Sequence, residues 1–86
     1  MKRVVGVFKP FAAKQRLLVY EDGNRVDAVE APILEIADTL FNLTEKYEID
    51  RVDLTGPKQF TKGLASQFQT LEKTKYNKNS LTYNII

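Results

Sequence analysis

The chain has 86 residues, 43% of them hydrophobic, and a formal net charge of +2, which suits one small domain with a single core. It contains no Cys and no His, which excludes disulfides, thiolate metal sites and catalytic triads with a histidine base. No apolar run approaches the roughly 20 residues of a membrane-spanning helix. Lys9 and Pro10 interrupt the short apolar start, so the sequence predicts a cytoplasmic protein without a signal peptide.

Charge is unevenly distributed along the chain. Residues 1–16 carry five bases and no acid, residues 17–54 carry three bases and ten acids, and residues 55–86 carry five bases and one acid, Glu72. Such asymmetry indicates an anionic partner or head-to-tail self-association, although a chance distribution of solvated charges is an equal alternative.

Three strands are predicted first. Residues 3–8 are apolar and β-branched without alternation, which is typical of a central strand buried on both faces. Gly6 within this strand indicates a bulge or the close approach of another backbone. Residues 15–20 and 25–31 flank Asp22-Gly23, a strong hairpin signal because Gly adopts a positive φ without steric cost. Acidic side chains at 27 and 30 would protect the last of these as an edge strand.

Two helices alternate with two further strands. Pro32 opens the first helix at a position where its missing N–H costs nothing. Apolar residues at helical spacing from 33 to 47 form the buried face of this helix. Leu34 and Phe41 flank that face, and we expect each to contact a second element or a partner.

The second half of the chain continues the same alternation. Residues 49–54 form the fourth strand, with Val52 and Leu54 on one face and Arg51 and Asp53 on the other. Pro57 follows Gly56 and starts the second helix, whose apolar face spans residues 60–71. Residues 81–85 alternate apolar and polar side chains, which is typical of a half-buried final strand.

The predicted order is therefore βββαβαβ in a single α/β domain. Because strand–helix–strand crossovers are right-handed, the sheet should be mixed, in the order 3-2-1-4-5, with helices on at least one face. This order, an antiparallel three-strand meander followed by helix, strand, helix and strand, resembles the ribonuclease H-like fold over nearly the whole chain.

The resemblance implies a protein related in topology to metal-dependent nucleases, junction resolvases and actin-like ATPases. Nucleases of this fold carry an Asp on the first strand, whereas the first strand here, RVVGVF, has no acid. Glu35 and Asp53 lie near the places of further metal ligands, but without the central acid they cannot form a two-metal clamp. The resemblance thus implies a minimal, inactive version of the fold.

The turn between the fourth strand and the second helix is the first candidate site. A helix N-terminus offers unpaired N–H groups and partial positive charge, and it lies here beyond the carboxyl end of a strand, where α/β sheets often bind ligands. Thr55 would cap the helix or bind a phosphate. The candidate anion or phosphate site comprises Thr55, Gly56, Lys58 and Lys62. The alternative is an ordinary turn, because TGPK lacks the spacing of a P-loop.

A basic surface with aromatic side chains is the second candidate. Lys side chains neutralise phosphates and exposed rings stack on unpaired bases. Phe11 would either take part in such stacking or fill the core. The candidate nucleic-acid surface comprises Lys9, Lys14, Arg16, Lys62, Lys73, Lys75, Tyr76 and Lys78.

Acidic residues do not form a recognisable metal site. Glu35 and Asp38 share a helix face, but it is the solvent face, and Asp50 and Asp53 lie on opposite faces of a strand. No spacing typical of a calcium-binding loop occurs. We therefore expect no metal, no cofactor and no catalytic residue.

Self-association is the last candidate activity. Apolar side chains on the first helix and on the final strand, an expected sheet edge, would form the interface, or alternatively complete the core: Leu34, Phe41, Leu81, Tyr83 and Ile85. The sequence thus favours a non-enzymatic interaction module that binds a partner protein or itself, with no role at a membrane. An accessory nucleic-acid binder is the alternative, and a phosphate- or nucleotide-handling enzyme is a third, weaker one.

Overall fold

A computed structural model of the protein describes residues 1–77 and 80–86. The elements in chain order are β1 (Lys2–Val7), β2 (Gln15–Glu21), β3 (Asn24–Ala31), a short 3-10 helix (Ile33–Glu35), α1 (Ile36–Lys46), β4 (Arg51–Thr55), α2 (Lys58–Thr74) and β5 (Thr82–Ile85). The strands form one sheet in the order β3-β2-β1-β4-β5. β1 pairs antiparallel with β2 and parallel with β4, and β4 pairs parallel with β5. The predicted α/β class, element order and strand order are confirmed.

Both helices pack on the same face of the sheet. The two crossovers, β3–α1–β4 and β4–α2–β5, advance across the sheet in the same direction, and right-handed connections then place their helices on one side. The core forms between this face and the helices, and its most buried members include Val4, Leu17, Val19, Ile36, Leu40, Val52, Leu54, Leu64 and Phe68.

The opposite side of the sheet is covered by no described helix, and we call it the helix-free face. Val5 and Leu18 lie on it, opposite each other on β1 and β2, and both are buried (8% and 9% exposed), although neither belongs to the core cluster. The strand register places the following side chains on this face: Arg3, Val5, Val7, Arg16, Leu18, Tyr20, Arg25, Ala28, Glu30, Arg51, Asp53, Thr55, Thr82 and Asn84. Among the described residues, no helix is long and apolar enough to cross a membrane.

The first helix begins differently from the prediction. Pro32 has an extended backbone, a 3-10 turn follows, and the α-helix starts only at Ile36. The Glu35 N–H donates to the Pro32 carbonyl (2.9 Å) and closes the 3-10 turn. Because this turn is tighter than an α-helical one, its side chains point in other directions than the buried face of α1. Ile33, predicted to be in the core, is therefore 41% exposed.

Two glycines allow close packing, and for one of them the predicted reason was wrong. A Cβ on Gly6 would lie 2.5 Å from the Phe8 ring, so Gly6 makes room for a side chain, and the β1–β2 register has no bulge there. The close backbone approach occurs instead at Gly56, where a Cβ would lie 2.4 Å from the Phe8 carbonyl oxygen and φ is +146°. The hairpin is confirmed, with φ positive at Asp22 and Gly23.

Candidate functional site

β5 forms one edge of the sheet and has a neighbouring strand, β4, on one side only. The Thr82 N–H donates to the Asp50 carbonyl (2.8 Å), and the Ile86 N–H donates to the Leu54 carbonyl (2.9 Å). Because peptide groups alternate in direction along a strand, those of Tyr83 and Ile85 point away from β4. No described strand lies on that side, so these donors and acceptors are open to another chain.

The side chains of this edge offer no protection against pairing. Residues 80–86, SLTYNII, include no charged residue and no proline, and Thr, Tyr and Ile are residues that favour strands. Natural sheets usually place charges, prolines or bulges on such an edge to prevent pairing with another chain. An edge of this composition is therefore competent to add a strand.

Asp53 holds β5 and β1 to β4 on the helix-free face. Its side chain is fully buried, and its carboxylate accepts bonds from Arg3 (2.8 Å), Arg51 (3.1 Å) and Asn84 on β5 (3.2 Å). Burial alone would raise the pKa of Asp53, but the hydrogen bonds from these three side chains outweigh it and hold the pKa below its usual value. Three strands of the sheet are thereby linked through one ionised carboxylate.

Glu72 holds the start of β5 from the helical side. It is the single acid of α2 and it is buried. Its carboxylate accepts bonds from the backbone N–H groups of Ser80 (2.8 Å) and Leu81 (2.9 Å) and from the Tyr83 hydroxyl (3.3 Å). Burial, together with the adjacent negative charge and hydrogen bond of Glu72, strongly raises the pKa of Tyr83. The inner side of β5 is thus fixed while its outer side is open.

β3, the other edge of the sheet, is different. It carries Arg25, Asp27 and Glu30, and the β2–β3 register shifts between Val19 and Tyr20, which marks a bulge. The Asp27 carboxylate accepts bonds from the Tyr47 hydroxyl (2.7 Å) and the Ala28 N–H (2.8 Å), which lower its pKa. The predicted edge position of the acidic pair is confirmed, and charge and irregularity both oppose pairing along β3.

The predicted interface residues differ in how exposed they are. Phe41 is only 3% exposed and its ring lies 4.4 Å from that of Tyr76, so it is a core residue in contact with a second element, and its assignment to an interface was wrong. Leu34, on the 3-10 helix, is 93% exposed. Leu81, Tyr83 and Ile85 are half-buried, and the first two pack against the core.

The predicted anion site lacks the expected capping contact. The N-cap of α2 is Pro57 and no side chain caps the helix, so Thr55 does not take that role. Thr55 lies instead at the end of β4, where its carbonyl accepts the Phe8 N–H (2.9 Å). Lys58 and Lys62 are exposed on the first turns of α2, beside Gly56. Thr61, which the sequence did not single out, is buried and donates to the Pro57 and Lys58 carbonyls.

The predicted nucleic-acid residues do not form one surface. Lys9 and Lys14 lie in the β1–β2 connection with a fully exposed Phe11, which does not fill the core. Arg16 projects from the helix-free face, and Lys62 and Lys73 lie near opposite ends of α2, separated by about 16 Å along its axis. Lys78 lies outside the described residues.

Two further members of that set are engaged within the protein. The Lys75 ammonium pairs with Asp38 on α1 (2.9 Å), and the Tyr76 hydroxyl donates to the same carboxylate. The Tyr76 ring is half-buried against Phe41. Sequence position alone suggested a continuous basic surface because it could not show which cations pair across the two helices.

The two buried carboxylates were missed at the level of the sequence. Glu72 follows Ala65 and Phe68 at helical spacing, so the periodicity did hold a signal that it faces the core. Asp53 was placed correctly on the face of Arg51, but nothing in the local pattern indicates that it is buried. Among the described residues, no group of three or more acidic side chains could hold a metal ion.

No family model matches the chain, and neither a curated protein nor a solved structure shows a significant similarity to it. The ribonuclease H-like relationship therefore stays a prediction that depends on topology.

Proposed function

We propose that this protein is a non-enzymatic interaction module that pairs with a second copy of itself along β5. The observation that carries the proposal is the contrast between the two edges of one sheet. β3 carries three charged side chains and a bulge, whereas β5 is uncharged, proline-free and open on its outer side. Such an edge is the ordinary site of strand addition.

The directions of the peptide groups define the register of this pairing. The outward groups of Tyr83 and Ile85 are two residues apart, so an antiparallel partner would place Tyr83 opposite the Ile85 of the second copy, and the reverse. A two-fold axis would then pass beside Asn84. Each of these two residue pairs exchanges two backbone hydrogen bonds, and the result is a continuous ten-stranded sheet with an isologous interface.

The charges near β5 predict how salt affects this dimer. α2 packs over β4 and β5, and its exposed charges are all lysines, because Glu72 is buried. A two-fold pairing brings two such helices towards each other, so their like charges oppose it. Salt screens repulsion between exposed charges. The dimer should therefore be weak at low salt and stronger at high salt.

The test is light scattering of the purified protein over a concentration series at low and high salt. We expect a monomer–dimer equilibrium at high micromolar to millimolar protein that shifts towards dimer as salt rises. Thr82→Lys adds a charge to the exposed helix-free side of β5 and should leave a monomer. Ile85→Pro, which removes an outward N–H, should do the same.

Ala28→Lys is the matched control, because it adds the same charge to an exposed position of β3. It should leave the dimer unchanged. A protein that is monomeric at every concentration contradicts the proposal. So does a dimer that dissociates with salt, because that behaviour would indicate head-to-tail attraction between the acidic α1 side and the basic α2 side.

A further inference from the structure

Arginine and lysine occupy different parts of this protein. The chain has four arginines, Arg3, Arg16, Arg25 and Arg51, and the strand register places every one of them on the helix-free face. The described lysines lie elsewhere, in loops, on the helices, or at the helical side of the end of β1. Arg is the residue that binds carboxylates through a planar, two-pronged group, whereas Lys acts as a hydrated point charge.

Three of these arginines form a row across the sheet. Arg51 and Arg3 are neighbours on the parallel pair β4–β1, Arg3 lies opposite Tyr20 on β2, and Tyr20 lies opposite Arg25 on β3. The Arg3 guanidinium lies over the Tyr20 ring, 5.2 Å from its centroid. With strands about 4.8 Å apart, the row spans roughly 14 Å. The three arginines thus lie in one row across four strands, with Tyr20 between Arg3 and Arg25.

The acids of this face do not neutralise the row. Asp53 is buried beneath Arg3 and Arg51, whose side chains are still 35% and 40% exposed. Glu30 lies 3.9 Å from Arg16 on the exposed surface. Four cations against these two carboxylates leave a net charge of +2 on the face. Arg25 forms no ion pair with a described residue, and the Arg3 and Arg51 side chains are partly exposed beside Asp53.

Beside the arginine row lies an aliphatic strip. Leu18 and Val5 are neighbours across β2 and β1 and are only 9% and 8% exposed, so the accessible part of the strip is Ala28, which continues it on β3, and the half-buried Val7 beside it. Tyr20 is the single aromatic residue on the face and is already covered by Arg3. Stacked bases need several exposed rings, whereas an aliphatic strip bordered by Arg is typical of the centre and rim of a protein interface.

We infer that the helix-free face binds an acidic, amphipathic segment of another protein. Its carboxylates would pair with the arginines of this face, and its apolar side chains would contact Ala28 and Val7, the accessible members of the aliphatic strip. The three parallel strands β1, β4 and β5 belong to a class of sheet that is normally covered on both faces. A second copy does not fit, because two such faces would place arginine against arginine. This surface is separate from the β5 edge, and its test does not depend on dimer formation.

The test measures binding of labelled peptides to the intact protein by fluorescence anisotropy. The probe is a helical peptide that repeats two Glu and two Leu over about four turns, and the comparison peptide has Ser in place of each Leu. Arg16→Gln combined with Arg25→Gln removes two charges from the face without touching the bonds of Asp53. We expect this double variant to weaken binding of the Leu peptide about tenfold.

The matched control is Lys58→Gln combined with Lys62→Gln, which makes the same change in net charge on α2, on the other side of the sheet. It should weaken binding less than about threefold. Equal losses in the two double variants overturn the inference, because net charge alone would then explain binding. Absence of binding by the Leu peptide overturns it, and so does equal binding of the Ser peptide. Tighter, arginine-dependent binding of an oligo(dT) strand would assign the face to nucleic acid instead.

Discussion

The two edge strands of the sheet, β3 and β5, differ in whether they are protected against pairing with another chain. β3 carries Arg25, Asp27 and Glu30 and a bulge, so another strand cannot pair with it without burying charge or breaking register. β5 has none of these features on its outer side. Among the described residues, its side-chain hydrogen bonds go to Asp53 on β4 and to Glu72 on α2.

This difference supports the proposal that β5 is a contact edge, because its inner side is anchored while its outer side carries no protective feature. A short edge strand gains little from its own hydrogen bonds, because its outer groups are unpaired. Two buried carboxylates, one on each face of the sheet, compensate by fixing β5 to β4 and to α2. Removal of these anchors should weaken β5, and removal of the charges of β3 should allow that edge to pair.

The largest effect is expected at Asp53. Asp53→Ala leaves Arg3 and Arg51 facing each other without their shared carboxylate and should lower the free energy of unfolding by about 3 kcal/mol. The Arg3 and Arg51 side chains are 35% and 40% exposed, which keeps the loss at the low end of the range for a broken buried ion pair. Urea unfolding at neutral pH measures it. Asp27→Ala on β3 is the control, and an equal loss in that variant would contradict the special role of Asp53.

A smaller effect is expected at Glu72. Glu72→Gln replaces the charged acceptor of the Ser80 and Leu81 N–H groups by a neutral amide oxygen, which accepts weaker hydrogen bonds, so the free energy of unfolding should fall by about 1–2 kcal/mol. In this variant, hydrogen exchange should become faster at the backbone amides of β5 and stay unchanged at those of β2. Glu35→Gln, at an exposed position without a side-chain cap bond, should be neutral. Unchanged exchange in β5 would show that Glu72 does not anchor it.

The smallest effect is expected from exposing β3. Asp27→Asn combined with Glu30→Gln removes the two acidic side chains of that edge and should add a weak second mode of association, seen as an average mass above that of the dimer at high protein concentration. The bulge remains and limits the effect. When Thr82→Lys is added to this variant, pairing along β5 is prevented, and any association that remains is due to β3. If the charges do not protect β3, the mass will not change.

Much of the fold could be predicted from the sequence because its local signals agree with one another. The strands and helices could be located to within a few residues from three signals. These are the Asp22-Gly23 turn, the positions of Pro32 and Pro57, and the switch from strand to helical periodicity. The handedness of crossovers then gave the strand order. The start of α1 was misplaced because Pro32 is compatible with both a 3-10 turn and an α-helix.

The candidate sites were less predictable because they depend on contacts between distant residues. The pairing of Lys75 and Tyr76 with Asp38 removed them from the proposed basic surface, and the contact of Phe41 with Tyr76 removed it from the interface. Both contacts join α1 to the segment after α2. The local sequence around these residues does not show that α1 and the segment after α2 are in contact.

By itself the sequence determined the class of elements, their order, the strand faces and the uncharged character of residues 80–86, because these follow from spacing, turn chemistry and composition. The tertiary structure decided which carboxylates are buried, which cations are free and which side of the sheet has no helix. It also gathered four arginines, spread from residue 3 to residue 51, onto one face. Strand pairing brings together residues that are far apart in the chain, and only the folded sheet specifies those neighbours.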